Sequence, residues 1–183
     1  DNPYFTTSLA EGKSEMLWIG TYAGIFGYNG DQFTVINDET LGLKKETGEL
    51  HVRSILEDSK GRLWIGNNGI GVLLFDNDTV INFSEKNNLI HPTSARNGDI
   101  SQQGTLEHIF AIEEDSDGNI WFGDRDTGAW KYDGKTITNY VINKKLKSQM
   151  IWDIYEDQNK ILLVAMANGG VYQFNGESFD KMF

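Results

Sequence analysis

The chain has 183 residues, with 16 Lys and Arg against 27 Asp and Glu, so its formal net charge of −11 offers no positive field to a phosphate backbone or an anionic bilayer surface. Nucleic acid and membrane insertion are therefore not expected. Twenty glycines, 12% aromatic residues, 39% hydrophobic content and only 2 prolines describe an ordered, turn-rich all-β chain, and the lack of cysteine excludes disulfides and thiolate chemistry in a periplasmic or cytosolic setting alike.

Taken in order, the chain repeats itself. A first unit opens with an expected inner strand near residues 5–10 and closes its second strand in Leu17-Trp18-Ile19-Gly20. A second carries Ile55-Leu56-Glu57-Asp58-Ser59-Lys60-Gly61-Arg62-Leu63-Trp64-Ile65-Gly66, and a third carries Ile112-Glu113-Glu114-Asp115-Ser116-Asp117-Gly118-Asn119-Ile120-Trp121-Phe122-Gly123. In the fourth, Glu156-Asp157 leads to Leu163, which replaces the Trp, and to Ala165, which replaces the last Gly. Trp18, Trp64, Trp121 and Leu163 lie about 42 to 57 residues apart, the period of propeller blades.

Every unit then reaches an aromatic residue before a turn: Tyr28-Asn29-Gly30, Phe75-Asp76-Asn77, Tyr132-Asp133-Gly134 and Phe174-Asn175-Gly176. These read as two-residue type I′ turns, folding each third strand into a fourth at 32–36, 79–83, 136–140 and 178–182. The resulting four-stranded sheets are apolar on both faces, as Trp64-Ile65 and Ile151-Trp152 illustrate, so one sheet alone would leave a greasy face in water. Radial stacking buries both faces and shortens the edges, which predicts a single β-propeller domain over 1–183, with four-stranded antiparallel blades at about 4–37, 52–83, 109–140 and 151–183 and an insertion loop at 84–107.

The pattern Ile-x-Glu-Asp-x-x-Gly-x-x-Trp-Ile/Phe-Gly, followed by Gly-x-x-x-aromatic-Asp, resembles the two-component regulator propeller repeat of extracytoplasmic sensor regions in bacterial hybrid histidine kinases and of free-standing propellers. The resemblance implies a non-enzymatic module, periplasmic or extracellular, that binds carbohydrate, another polar small molecule or a protein. Similar propellers also work as polysaccharide or lactone lyases and hydrolases, or as pure interaction scaffolds, and these are the alternatives. No transmembrane helix, kinase or DNA-binding module is visible, so signalling by this polypeptide alone is not expected. Relatives commonly have more than four blades; the four here are expected to close a four-bladed ring, to belong to a larger propeller, or to complete a ring by self-association.

Repetition marks scaffold. Asp58, Asp115 and Asp157 recur before the first hairpin turn, where a short carboxylate bonds nearby backbone N–H groups. Glu113, Asp115, Asp117, Gly118 and Asp124 mimic the spacing of a calcium loop without its flanking helices, and no metal or other cofactor is expected. His51 and His108 hold matching places at the start of inner strands near the axis, two imidazoles being one ligand short of an ordinary zinc site.

Departures from the repeat mark candidate function. On the face carrying the connections between blades and the loops between second and third strands, the insertion supplies His91, Pro92, Arg96, Asn97, Asp99 and Gln102. Neighbouring loops supply Asn67 and Asn68, then Asp124, Arg125 and Asp126, then Asn168. Amides, guanidinium groups and carboxylates of this kind pair with sugar hydroxyls or peptide edges. Tyr22 in the first blade's loop, and Arg53 and Trp152 at the start of inner strands, add aromatic faces and a charge suited to a sugar ring. The expected ligand-binding set is Tyr22, Asn67, Asn68, His91, Arg96, Asp124, Arg125, Asp126, Trp152 and Asn168, with no catalytic residue assigned.

Overall fold

A computed structural model describes residues 4–13, 15–44, 48–76, 79–92 and 99–183. Blade 1 comprises β1 (Thr6–Glu11), β2 (Leu17–Thr21), β3 (Gly24–Tyr28) and β4 (Phe33–Asn37), and blade 2 comprises β5 (Val52–Glu57), β6 (Leu63–Asn67), β7 (Val72–Asp76) and β8 (Thr79–Asn82). After a one-turn helix, α1 (Phe83–Lys86), blade 3 contains β9 (Ile109–Glu114), β10 (Ile120–Asp124), β11 (Gly128–Tyr132) and β12 (Ile137–Tyr140). Blade 4 contains β13 (Ile151–Glu156), β14 (Leu162–Met166), β15 (Val171–Phe174) and β16 (Phe179–Lys181). Each blade is a four-stranded antiparallel sheet with its strands in chain order, as the propeller reading requires. Among the described residues no helix is long and apolar enough to cross a membrane.

The repeated carboxylates build the first turn of their blades. Asp58 accepts the amides of Lys60 and Arg62, each at 2.9 Å, and the Trp64 indole at 2.8 Å. Asp115 does the same for Asp117, Asn119 and the Trp121 indole, and Asp157 for Asn159 and Ile161. In blades 2 and 3 one side chain thus ties the turn to the buried tryptophan of the next strand. Blade 1 lacks this Asp, and its Trp18 indole donates instead to Glu57 of blade 2 at 2.7 Å.

The turns between third and fourth strands differ from the expected two-residue form. In blades 1, 3 and 4 four residues lie between the last paired positions, Tyr28 with Phe33, Tyr132 with Ile137 and Phe174 with Phe179. Asn29, Asp133 and Asn175 accept the amides two and three residues ahead, and only the following glycine takes a positive φ, near +99°, +94° and +100°. A side-chain acceptor replaces the second left-handed residue that a type I′ turn needs. The corresponding Asn77 of blade 2 lies outside the described residues. In that blade the fourth strand stops at Asn82, whose side chain caps α1 by accepting the Glu85 amide.

Three apolar clusters fill the three gaps between successive blades. Their closeness explains the last glycine of each tryptophan motif: a Cβ on Gly66 would stand 2.6 Å from Ile109 Cγ2, and one on Gly123 would stand 2.5 Å from Ile151 Cγ2. Polar latches run beside the apolar contacts. Ser59 donates its amide and hydroxyl to Glu114 of the next blade, and Ser116 does so to Glu156. Packing runs from β1 to β5, β5 to β9 and β9 to β13, and nothing comparable returns from β13 to β1 among the described residues. The four blades therefore form an open arc around the hub, which rules out the closed four-bladed ring for this arrangement.

Candidate functional site

Every inner strand breaks register with its neighbour at its second residue. The shifts fall between Thr6 and Ser8, Val52 and Ser54, opposite Gly123 and Asp124 where Phe110 is skipped, and between Ile151 and Asp153. A bulge leaves one residue unpaired and re-aims its side chain. The four bulged residues, Thr7, Arg53, Phe110 and Trp152, line one cavity of about 210 Å³ at the hub, together with Phe5 and Thr6.

Ring contacts link these residues around the hub. Phe5 stacks on Tyr22 with centroids 5.4 Å apart, and the Arg53 guanidinium lies 5.2 Å from the Tyr22 ring and 5.0 Å from the Phe110 ring. Phe110 is in turn 5.8 Å from Trp152, whose residue is 59% exposed. The Thr7 hydroxyl is occupied, donating to the Val52 carbonyl at 2.8 Å. Among the described residues the rings of Phe5, Phe110 and Trp152, the Thr6 side chain and one guanidinium are the chemistry left for a ligand.

A second hollow of about 290 Å³ lies beside Glu49, Leu50, His51, Asn68, Gly69 and Ile70. His51 packs edge-on to Tyr22 at 4.2 Å, and burial followed by the charge of Arg53 lowers its pKa. His108 Nδ1 lies 2.7 Å from Asn68 Oδ1, while burial, then the Arg125 charge, brings its pKa down to about 4. Both imidazoles are neutral at pH 7 and each bonds or stacks elsewhere. Among the described residues no group of three or more His, Asp or Glu side chains could hold a metal ion.

The residues singled out in the sequence fall into three groups. Tyr22 and Trp152 belong to the hub ladder, and Asn68 borders the second hollow. Asn67, Asp124 and Asp126 are buried and spent on the fold. Asn67 Oδ1 accepts the His51 amide at 3.2 Å, and Asp124 accepts the amides of Glu107, His108, Asp126 and Thr127. Burial outweighs those bonds and pushes the Asp124 carboxyl up to about 6. Asp126 pairs with Arg125 at 2.7 Å and accepts the Ser101 amide at 3.0 Å, while Arg125 also donates to the Asp99 carbonyl. This pair pins the end of the insertion to blade 3.

Within the insertion, the His91 amide donates to Glu107 at 2.8 Å, and Leu106 is fully buried, so its two ends are packed rather than free. Asn168 is exposed in the loop before β15, away from the hub cavity's lining. Arg96 and Asn97 lie outside the described residues. Sequence reasoning missed Phe5, Thr7 and Phe110, and noted Arg53 without assigning it. The available signal was a repeat position, second in each inner strand, at which Thr, Arg, Phe and Trp alternate while its surroundings repeat.

Residues 48–69 and 104–126 match the family described as Two component regulator propeller. No curated protein matches the chain. Among solved structures, the fold is similar to the extracellular domain of a B. thetaiotaomicron protein described as the hybrid two component system BT3049, with 21% identity and a TM-score of 0.70 over 96% of this chain and 21% of that one. The corresponding domain of BT4673 from the same organism gives 22% identity and a TM-score of 0.59 over 87% and 20% of the two chains. A virginiamycin B lyase from Staphylococcus aureus gives 13% identity and a TM-score of 0.68 over 99% and 56%. The chain thus spans about a fifth of the length of the two extracellular domains, and at these identities the likeness is one of fold.

Proposed function

Because the chain carries two-component regulator propeller repeats in an arc of four blades, we propose that it is a recognition module binding a polar ligand, in the first instance an oligosaccharide, at the hub cavity. We further propose that it works outside the cytoplasm within a sensor. The observation that carries the reading is the set of four bulges, which aim Thr7, Arg53, Phe110 and Trp152 into one space. The bulge itself repeats as scaffold does, but the side chain it carries differs in every blade, and differing side chains on identical supports suit a recognition site. The exposed indole suits the C–H face of a sugar ring, and about 210 Å³ is below the usual 300–1,000 Å³ of a drug-sized pocket, which fits one ring of a longer chain. The compartment is supported by the extracellular domains that share the fold.

No carboxylate lines the hub cavity among the described residues, so the acid–base pair of a hydrolase is not assembled there. Calorimetric titration with a panel of neutral and acidic oligosaccharides tests the reading. Saturable binding is expected, weakened at least about tenfold by Trp152→Ala, and unchanged by Asn168→Ala. Binding lost in Asn168→Ala but retained in Trp152→Ala would move the site to the loops, and product release would replace the reading with an enzymatic one.

A further inference from the structure

Three arginines lie among the described residues, and two have carboxylate partners: Arg62 Nη2 is 2.6 Å from Asp58 Oδ2, and Arg125 Nη2 is 2.7 Å from Asp126 Oδ2. Arg53 differs. It makes no ion pair or hydrogen bond among the described residues, and its Nε is buried without an acceptor. Among the described residues its guanidinium lies over the Tyr22 and Phe110 rings and beside the neutral-leaning His51, and it lines the hub cavity.

A guanidinium cannot shed its charge at ordinary pH, so removing it from water without an acceptor is costly. Aromatic faces recover some of that cost and fix the plane of the group, but they leave the buried Nε donor unmet, and no described side chain accepts from the Nη groups of this half-buried residue. The chain is rich in acids, yet none among the described residues lines this cavity. With Nε buried, the two Nη groups are the fork left to a ligand, and such a planar pair takes a carboxylate through two parallel hydrogen bonds.

We infer that Arg53 receives a carboxylate from the ligand, and that the ligand is an acidic saccharide of the uronate type whose ring lies against Phe110 and Trp152. This inference rests on the hub-site reading above and adds the ligand's charge to it. Stacking supplies affinity for any sugar ring of suitable size. The guanidinium supplies the preference for an acid over its neutral counterpart, because an ester or hydroxyl oxygen accepts from it without the opposite charge and the paired oxygens of a carboxylate.

The test uses trisaccharides of galacturonate, glucuronate and mannuronate, each paired with its methyl ester, titrated into the wild type, Arg53→Gln, Arg53→Lys and Trp152→Ala. One acid is expected to bind at least about tenfold more tightly than its ester. Arg53→Gln is expected to bring the ratio of acid to ester affinity down to about one, and Trp152→Ala to weaken acid and ester together. Arg53→Lys keeps the charge without the fork and should fall between; if Arg53→Gln fails to fold by circular dichroism, the lysine variant decides. Acid and ester binding equally to the wild type, or an acid preference that stays undiminished in the arginine variants, overturns the inference while the hub site stands. No binding by any acidic or neutral oligosaccharide overturns both.

Discussion

Blades 2 and 3 are covered on both faces and blades 1 and 4 on one, and equivalent rungs of side chains record the difference. In blade 3 the register aligns Ile112, Phe122 and Trp130, all buried against blade 2. In blade 1 the same rung is Leu9, Ile19, Phe26 and Val35, and there Leu9 is 67% exposed. Strand pairing within the two sheets is alike; only the neighbour differs. A blade of this chain therefore gains its local form from its own turns and its burial from the next blade, the nearest-neighbour coupling expected of repeat architectures.

The tryptophans should show the contrast between inner and outer blades most strongly. Trp121 is 1% exposed between blades 3 and 4, so Trp121→Ala is expected to cost about 3–5 kcal/mol in urea unfolding, whereas Trp18→Ala, at a half-buried place in blade 1, should cost about 1–3 kcal/mol. Both tryptophans face a gap between blades, so equal losses would show that the depth of burial in the gap does not govern stability. Next in size is Gly66→Ala, which forces a methyl against Ile109 and should cost about 1–3 kcal/mol. Blade 4 already carries alanine at this place, and Ala165→Gly is expected to change the urea midpoint little. A neutral Gly66→Ala would mean that blades 2 and 3 are looser than their contacts imply.

A weaker, electrostatic effect comes last. Glu113 lies between blades 3 and 4, where burial above all, reinforced by the charges of Asp153, Glu156 and Glu114 against a backbone hydrogen bond from Glu156, pushes its pKa from 4.5 to about 7. The folded chain then holds this proton more tightly than the unfolded one, so stability is fullest below pH 4.5 and falls as pH rises towards 7. The change is about 1 kcal/mol once solvent screening is allowed for. Glu113→Gln should flatten the dependence of the urea midpoint between pH 5 and pH 8; an unchanged slope would place the titration elsewhere.

Much of the fold is legible in the sequence because its causes are local. An Asp before a turn and a Trp six residues later must meet in a tight hairpin, and Asp58 with Trp64 and Asp115 with Trp121 do so. The turn after Tyr28 is misread from sequence because Asn-Gly encodes both a two-residue turn and a longer loop closed by the Asn side chain, and only the pairing partner distinguishes them. The site was less legible. Polar loop residues such as Asn67, Asp124 and Asp126 look free in a sequence, but a loop crossing from blade to blade must satisfy its amides, and these side chains are consumed in doing so. Bulges leave no composition signal, so Phe110 reads as one more core aromatic until four inner strands are laid side by side.

If the bulged residues form one recognition surface while the repeated tryptophans are scaffold, the five indole N–H signals report on both at once. In 15N-labelled protein titrated with the best-binding acidic trisaccharide, the Trp152 signal is predicted to move saturably while those of Trp64 and Trp121, bonded to Asp58 and Asp115, stay in place. A Trp152 signal that does not respond while saturable shifts gather in the loops around Asn168 would show that recognition takes place away from the hub.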